Sequence, residues 1–152
     1  MKKPTILLFM LACIICGITY HVAAITYPID SSDFDEIRSW ISVNIKYVDE
    51  DTATYHWQTP EETLRLRTGL CVDYAILLLQ WVHDKLGADG FMLLIKLSDT
   101  EGHAVVQFNN VPGAWFSPQT TRIDRAYGYQ IMYILTLQDA LDAIGQQHKG
   151  AQ

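Results

Sequence analysis

The sequence predicts an α+β domain in which helices come first and an antiparallel set of strands follows. Three observations carry this. Residues 57–85 hold two helical patterns in series, the second apolar on nearly all sides. From Phe91 onward the apolar positions fall in short segments separated by turn-forming residues, the pattern of strands. Finally, a chain of 152 residues is long enough for one domain with a real core.

The first 24 residues are set apart from that domain. Lys2 and Lys3 precede an apolar run from Ile6 to Ile18, and Val22-Ala23-Ala24 supplies small residues for cleavage after Ala24. This is the arrangement of a secretory signal peptide. Lipidation of Cys13 after Met10-Leu11-Ala12, or an uncleaved anchor, are the alternatives. Residues 25–152 then form a single domain, attached to a membrane only if the leader holds it there.

Cleavage after Ala24 removes Cys13 and Cys16 and leaves Cys71 as the one thiol. A lone cysteine in an exported chain is a candidate reactive group, because it has no intramolecular disulfide partner. The same cleavage leaves nine basic against seventeen acidic residues, a net charge of −8. No Lys/Arg cluster offers a basic surface, so nucleic-acid binding is not expected.

Taken in order, Ser31 and Ser32 are placed to cap a helix from Asp33 to Tyr47. Phe34, Ile37, Ile41 and Ile45 form its apolar face, widened by Trp40, Val43 and Tyr47. Asp49-Glu50-Asp51 reads as its solvated end rather than as a calcium loop, since it lacks alternating oxygen ligands and the loop glycine. Thr59-Pro60 with Glu62 has the form of a capping box with proline at the first helical position. A short helix is therefore expected from Pro60 to Arg67, stopped by Thr68 and Gly69 through glycine's access to the left-handed conformation.

A second helix runs from Cys71 to Lys85. Cys71 lies in its first turn, where unpaired N–H groups and the helix dipole favour thiolate. Such a position can lower a cysteine pKa from about 8.5 to between about 3.5 and 7.5. Gly87 and Gly90 break the helix. Strands are then expected at Phe91–Leu97, His103–Phe108, Ala114–Phe116 and Tyr129–Leu135. Thr136 caps a last helix from Leu137 to Ile144, closed by Gly145 and followed by a polar, frayed tail.

A cysteine nucleophile needs a base, usually histidine, and a polar group to hold the imidazole. His21 leaves with the leader and His148 falls in the tail. His83 is about 18 Å along the same helix from Cys71, at 1.5 Å per residue. His56 reads as a surface residue. His103 opens a strand directly after Glu101-Gly102 and is the better base.

Four segments resemble the transglutaminase-like superfamily of cysteine enzymes. They are Trp57-x-Thr-Pro-Glu-Glu-Thr-Leu, Gly69-Leu-Cys71-Val-Asp73-Tyr-Ala75, Gly102-His103-Ala104-Val105, and the Trp115 strand ending in Ser117-Pro118. The resemblance spans Trp57 to Pro118. It implies a papain-like fold, the transglutaminase core, whose central buried helix starts at the cysteine and packs on an antiparallel sheet. It implies Cys71 as nucleophile and His103 as general base, attack on an amide carbonyl, and a thioester resolved by water or an amine. A peptide or protein would be the substrate.

The chain departs from that family at the position of the aspartate that orients the histidine, where it carries Ser117. Serine accepts a hydrogen bond from imidazole but cannot stabilise imidazolium by charge. Asp124 and Asn109 are the other candidates for that role. Gln58 could donate to an oxyanion or be a solvated loop residue, Asp73 is expected to bond backbone N–H groups in the first turn, and Gly69 to supply backbone freedom. Trp40, Trp57, Trp81 and Trp115 read as core or cleft wall. No HExxH or paired CxxC is present, so no metal and no cofactor are expected. Three functions remain: an exported cysteine hydrolase or acyltransferase, a silent peptide-binding module, and a structural envelope protein with a packed thiol.

Overall fold

The computed structural model describes residues 24–48, 56–111, 114–117, 119, 123–125 and 128–150. The expected leader, apart from Ala24, and the acidic run at 49–51 lie outside the described residues.

Helix α1 (Phe34–Asn44) starts at Asp33, whose carboxylate accepts from the backbone N–H groups of Asp35 and Glu36. The cap is thus one residue beyond the expected serines. Ser31 supports it by accepting from the Asp33 N–H and donating to Glu36. The helix ends earlier than its apolar pattern predicts, because Lys46–Tyr47 leaves as strand β1 and pairs in parallel with Thr68–Gly69, strand β2. Tyr47 is consequently exposed, and Val43 within the helix is exposed too, while Ile37, Ile41 and Ile45 are buried.

Helix α2 (Pro60–Leu66) has the predicted capping box: Glu62 N–H donates to the Thr59 hydroxyl and Thr59 N–H to the Glu62 carboxylate. Its end differs from expectation. Arg67, not a glycine, takes the left-handed conformation at φ 59°. A non-glycine residue there costs about 1–2 kcal/mol. The Arg67 guanidinium, stacked over the Trp40 ring at 4.5 Å, offsets part of that cost and ties α2 to α1.

Helix α3 (Cys71–Leu86) is the centre of the domain. Ala75, Ile76, Leu77, Leu78, Trp81 and Val82 are buried within it, and Gly87 closes it at φ 61°. One side meets α1, where Trp81 stacks on Tyr27 with centroids 4.6 Å apart and meets Trp40 at 5.3 Å. The other side meets a five-stranded sheet in the order β6-β5-β4-β3-β7, antiparallel throughout. Its strands are β3 (Gly90–Lys96), β4 (Gly102–Phe108), β5 (Ala114–Phe116), β6 (Ile123–Arg125) and β7 (Gln130–Thr136).

Side chains alternate across a sheet, so each strand divides between two clusters. Met92, Ala104, Val106, Phe108 and Phe116 pack on α3. Leu93, Ile95, Val105 and Trp115 form a second cluster on the opposite face. Strand β6 was not foreseen, its three residues being too short and polar to stand out. Helix α4 (Leu137–Gly150) begins as expected, with Asp139 accepting from both the N–H and the hydroxyl of Thr136. It does not stop at Gly145: a glycine inside a helix weakens it by about 1 kcal/mol but does not end it. Ala140 and Ile144 dock on the α3 core and carry the last turns along.

Candidate active site

The site forms where the start of α3 meets the start of β4. Asp73, at the third position of α3, is fully buried and gives one carboxylate oxygen to the Leu70 N–H at 2.7 Å and the other to the Gln58 N–H at 2.8 Å. The residue therefore does the structural work expected of it, capping its own helix. It also draws in the segment before α2. A carboxylate at a helix start is further favoured by the dipole.

Gly69 has a role other than the one expected. Its backbone is not left-handed, but a Cβ there would stand 2.9 Å from the Asp73 Cβ and 3.1 Å from its Oδ2. Glycine is needed for close approach, and that approach seats Asp73 under the α3 N-terminus. Gln58 is also corrected: it is buried rather than solvated.

Cys71 is the first residue of α3 and is partly exposed. Its thiol touches the backbone amide of Ala104, the residue after His103, so the helix start and the strand start converge on sulfur. Burial pushes the thiol pKa up. Backbone hydrogen bonds from Ala104, Val72 and Cys71 itself oppose that rise, and the Asp73 charge adds to it. The net direction is upward, the reverse of what the helix-start position alone predicts, because desolvation outweighs the local N–H groups.

On β4, His103 pairs with Ile95 and lies on the same face as Val105, which pairs with Leu93, and Ser117 extends β5 on that face. Across this step the His103 Nε2 and the Ser117 Oγ are 3.2 Å apart. Ser117 is 3% exposed, and its hydroxyl donates to Gln119 Oε1 at 3.1 Å. A hydroxyl has one hydrogen. With that hydrogen on Gln119, the bond to His103 requires the imidazole to donate from Nε2, which places the basic lone pair on Nδ1.

Gln119 was missed by sequence reasoning. It lies beyond the end of β5 and is tied to the site only through the Ser117 hydroxyl, so no local pattern marks it. Asn109 is excluded as the orienting group. It follows the far end of β4, its N–H bonded to the Asp89 carbonyl, about 20 Å from His103 at 3.3 Å per strand residue. Asp124 pairs with Trp115 on the neighbouring strand β6. His83 is at the opposite end of α3, bonded to Asp89 at 2.9 Å.

A family model described as a transglutaminase-like domain matches residues 19–116. The chain belongs to the transglutaminase-like domain family. The match takes in α3 with Cys71 and β4 with His103, and stops one residue before Ser117. Among curated proteins none matches the chain significantly.

Solved structures of Legionella pneumophila LapG are similar in fold. One aligns at 16% identity over 75% of this chain and 76% of that one, with a TM-score of 0.54. Its calcium-bound form aligns at 15% identity over 76% and 78%, with a TM-score of 0.53. The fold is accordingly the papain-like one of the transglutaminase core. Among the described residues no helix is long and apolar enough to cross a membrane. Also among the described residues, the three-residue group suited to a metal is His56, Glu62 and His148, with two imidazoles and one carboxylate. Calcium takes six to eight oxygen ligands, so that group does not fit it.

Proposed function

We propose that this domain is an exported thiol hydrolase or acyltransferase acting on peptide or isopeptide amide bonds. One observation carries the reading: the Cys71 thiol meets the backbone amide of Ala104, the residue directly after His103, and the His103 Nε2 faces the Ser117 hydroxyl, leaving Nδ1 as the base. In the first step the thiol proton passes to His103 Nδ1 as the Cys71 sulfur bonds to the carbonyl carbon. The carbonyl oxygen becomes an oxyanion. Collapse breaks the C–N bond, and the imidazolium returns its proton to the leaving amine. Water or a second amine then attacks the thioester, gives a proton to His103, and releases the Cys71 thiol.

Two features favour proton transfer during attack over a standing thiolate–imidazolium pair. Burial keeps the resting thiol protonated, and neutral Ser117 offers imidazolium no compensating charge. The oxyanion falls among the N–H groups of the α3 start. Gln58, tied beside that start through Asp73, is the side-chain donor. Residues 1–24 serve as the export leader, and the mature domain begins at Ile25.

The test combines a pool of fluorogenic peptide amides with a fluorescent primary amine, wild type against Cys71→Ser. Intact-mass detection of an acyl group on Cys71 reports the intermediate. Cleavage or amine transfer that needs Cys71 supports the reading; turnover indifferent to Cys71, or none, sinks it. A silent peptide-binding module is the second reading, favoured by the uncharged Ser117. It predicts peptide binding that Cys71→Ser leaves intact, with no acyl intermediate. Partial exposure of Cys71 speaks against a merely packed thiol.

A further inference from the structure

The continuation of α4 past Gly145 brings its last turn against the segment that leads into α2. The Trp57 N–H donates to Gln147 Oε1 at 2.9 Å, joining residues 90 apart in sequence. On either side of this clamp stand His56 and His148, their rings 5.5 Å apart between centroids and inclined at 73°. Glu62, in the first turn of α2, completes a group. One ligand atom from each of the three lies within 4.8 Å of the others.

We propose that His56, Glu62 and His148 bind one borderline divalent metal ion, of which Zn²⁺ is the type, and that the ion fastens the end of α4 to the start of α2. Two imidazoles and a carboxylate are the ligand set of three-coordinate protein sites for zinc, which leave a fourth position to water. Imidazole selects zinc, nickel or copper over calcium and magnesium. The carboxylate is already oriented, since Glu62 Oε2 accepts from the Thr59 N–H at 3.0 Å.

Ligand atoms in a tetrahedral zinc site stand about 3.4 Å apart, given bonds of about 2.0–2.1 Å. The group must therefore close slightly. Both histidines are exposed, so side-chain rotation achieves this while the Trp57–Gln147 bond holds the backbones. The site shares no residue with the proposed thiol chemistry. It touches that chemistry through one link: Trp57 is followed by Gln58, whose N–H is bonded to Asp73 beneath Cys71.

The experiment is calorimetric titration of Zn²⁺ into untagged Cys71→Ser protein, which removes the thiol as a competing soft ligand. Visible absorption of the Co²⁺ form and thermal melting are run beside it. The expected result is saturable binding of one ion, tetrahedral-type cobalt bands, and a melting temperature that rises with Zn²⁺ but not with Ca²⁺. His56→Ala and His148→Ala should each weaken binding at least about tenfold, the scale on which even indirect metal partners act. Both positions are exposed, and circular dichroism checks that the variants fold. His83→Ala, at the far end of α3, should leave affinity unchanged. Absence of saturable binding, or binding equally tight in both histidine variants, overturns the proposal. Because Cys71 is already removed, neither result bears on the thiol reading.

Discussion

The Nε2 of His103 donates to the hydroxyl of Ser117 across 3.2 Å, and that hydroxyl passes its own hydrogen to Gln119. A neutral relay thus ends at His103. The relay fixes the tautomer of His103 as an aspartate would, but gives imidazolium no charge to lean on.

Ser117→Asp should therefore raise the reactivity of Cys71 at neutral pH. A charge-assisted bond is roughly twice as strong as a neutral one, and a gain of about 1.4 kcal/mol corresponds to tenfold. The measurement is the rate of haloacetamide labelling. The site is almost fully buried, so the same variant should melt lower wherever His103 is uncharged. A variant no more reactive than wild type would show that Ser117 is not the group that sets imidazolium stability.

Gly69→Ala should destabilise the domain by about 1–3 kcal/mol although its φ is ordinary, because the added Cβ meets Asp73 at 2.9 Å. Asp73→Asn should cost about as much. An amide has one acceptor oxygen for the two N–H groups of Leu70 and Gln58, and it loses the charge. Chemical denaturation reads both effects. An unchanged midpoint in either variant contradicts the packing described.

Alkaline stability follows from three groups whose pKa values are raised in the folded state. Cys71 is raised by burial, Tyr74 to about 12 by burial, and Tyr27 by burial and its 2.6 Å bond to Asp84. Between the ordinary and the folded value of each, the unfolded chain has lost the proton that the native protein keeps, so stability falls as pH rises. The fall should begin near the ordinary thiol value of about 8.5 and steepen near the ordinary tyrosine value of about 10. Thermal melts of Cys71→Ala and Tyr27→Phe should flatten the first and second parts respectively. Slopes equal to wild type in both would contradict these assignments.

Much of the architecture was legible because its signals are local. The capping box at Thr59 and Glu62, the apolar run of α3 and the short apolar run of β4 are each contained within one element. Cys71, His103 and Ser117 stand out through short motifs in order, and the structure brings the last two within 3.2 Å. What escaped depends on distance. The β1–β2 pair is two residues per strand and joins positions 46 and 68. The continuation of α4 past Gly145 and the meeting of His56 with His148 depend on tertiary docking. Gln119 is tied to the site only through the Ser117 hydroxyl. The thiol pKa direction was misread from the helix dipole because burial is a property of the packed site and not of the sequence around Cys71.

The most direct test is the pH dependence of Cys71 alkylation by iodoacetamide in the folded protein, wild type beside His103→Ala. If His103 takes the thiol proton, wild type reacts at neutral pH at a rate that drops about a hundredfold or more in the variant, the usual range for a lost general base. The variant should recover only above the ordinary thiol value of about 8.5, because burial raises the Cys71 pKa. Superimposable profiles for the two proteins would contradict the pairing of Cys71 with His103, and with it the proposed chemistry.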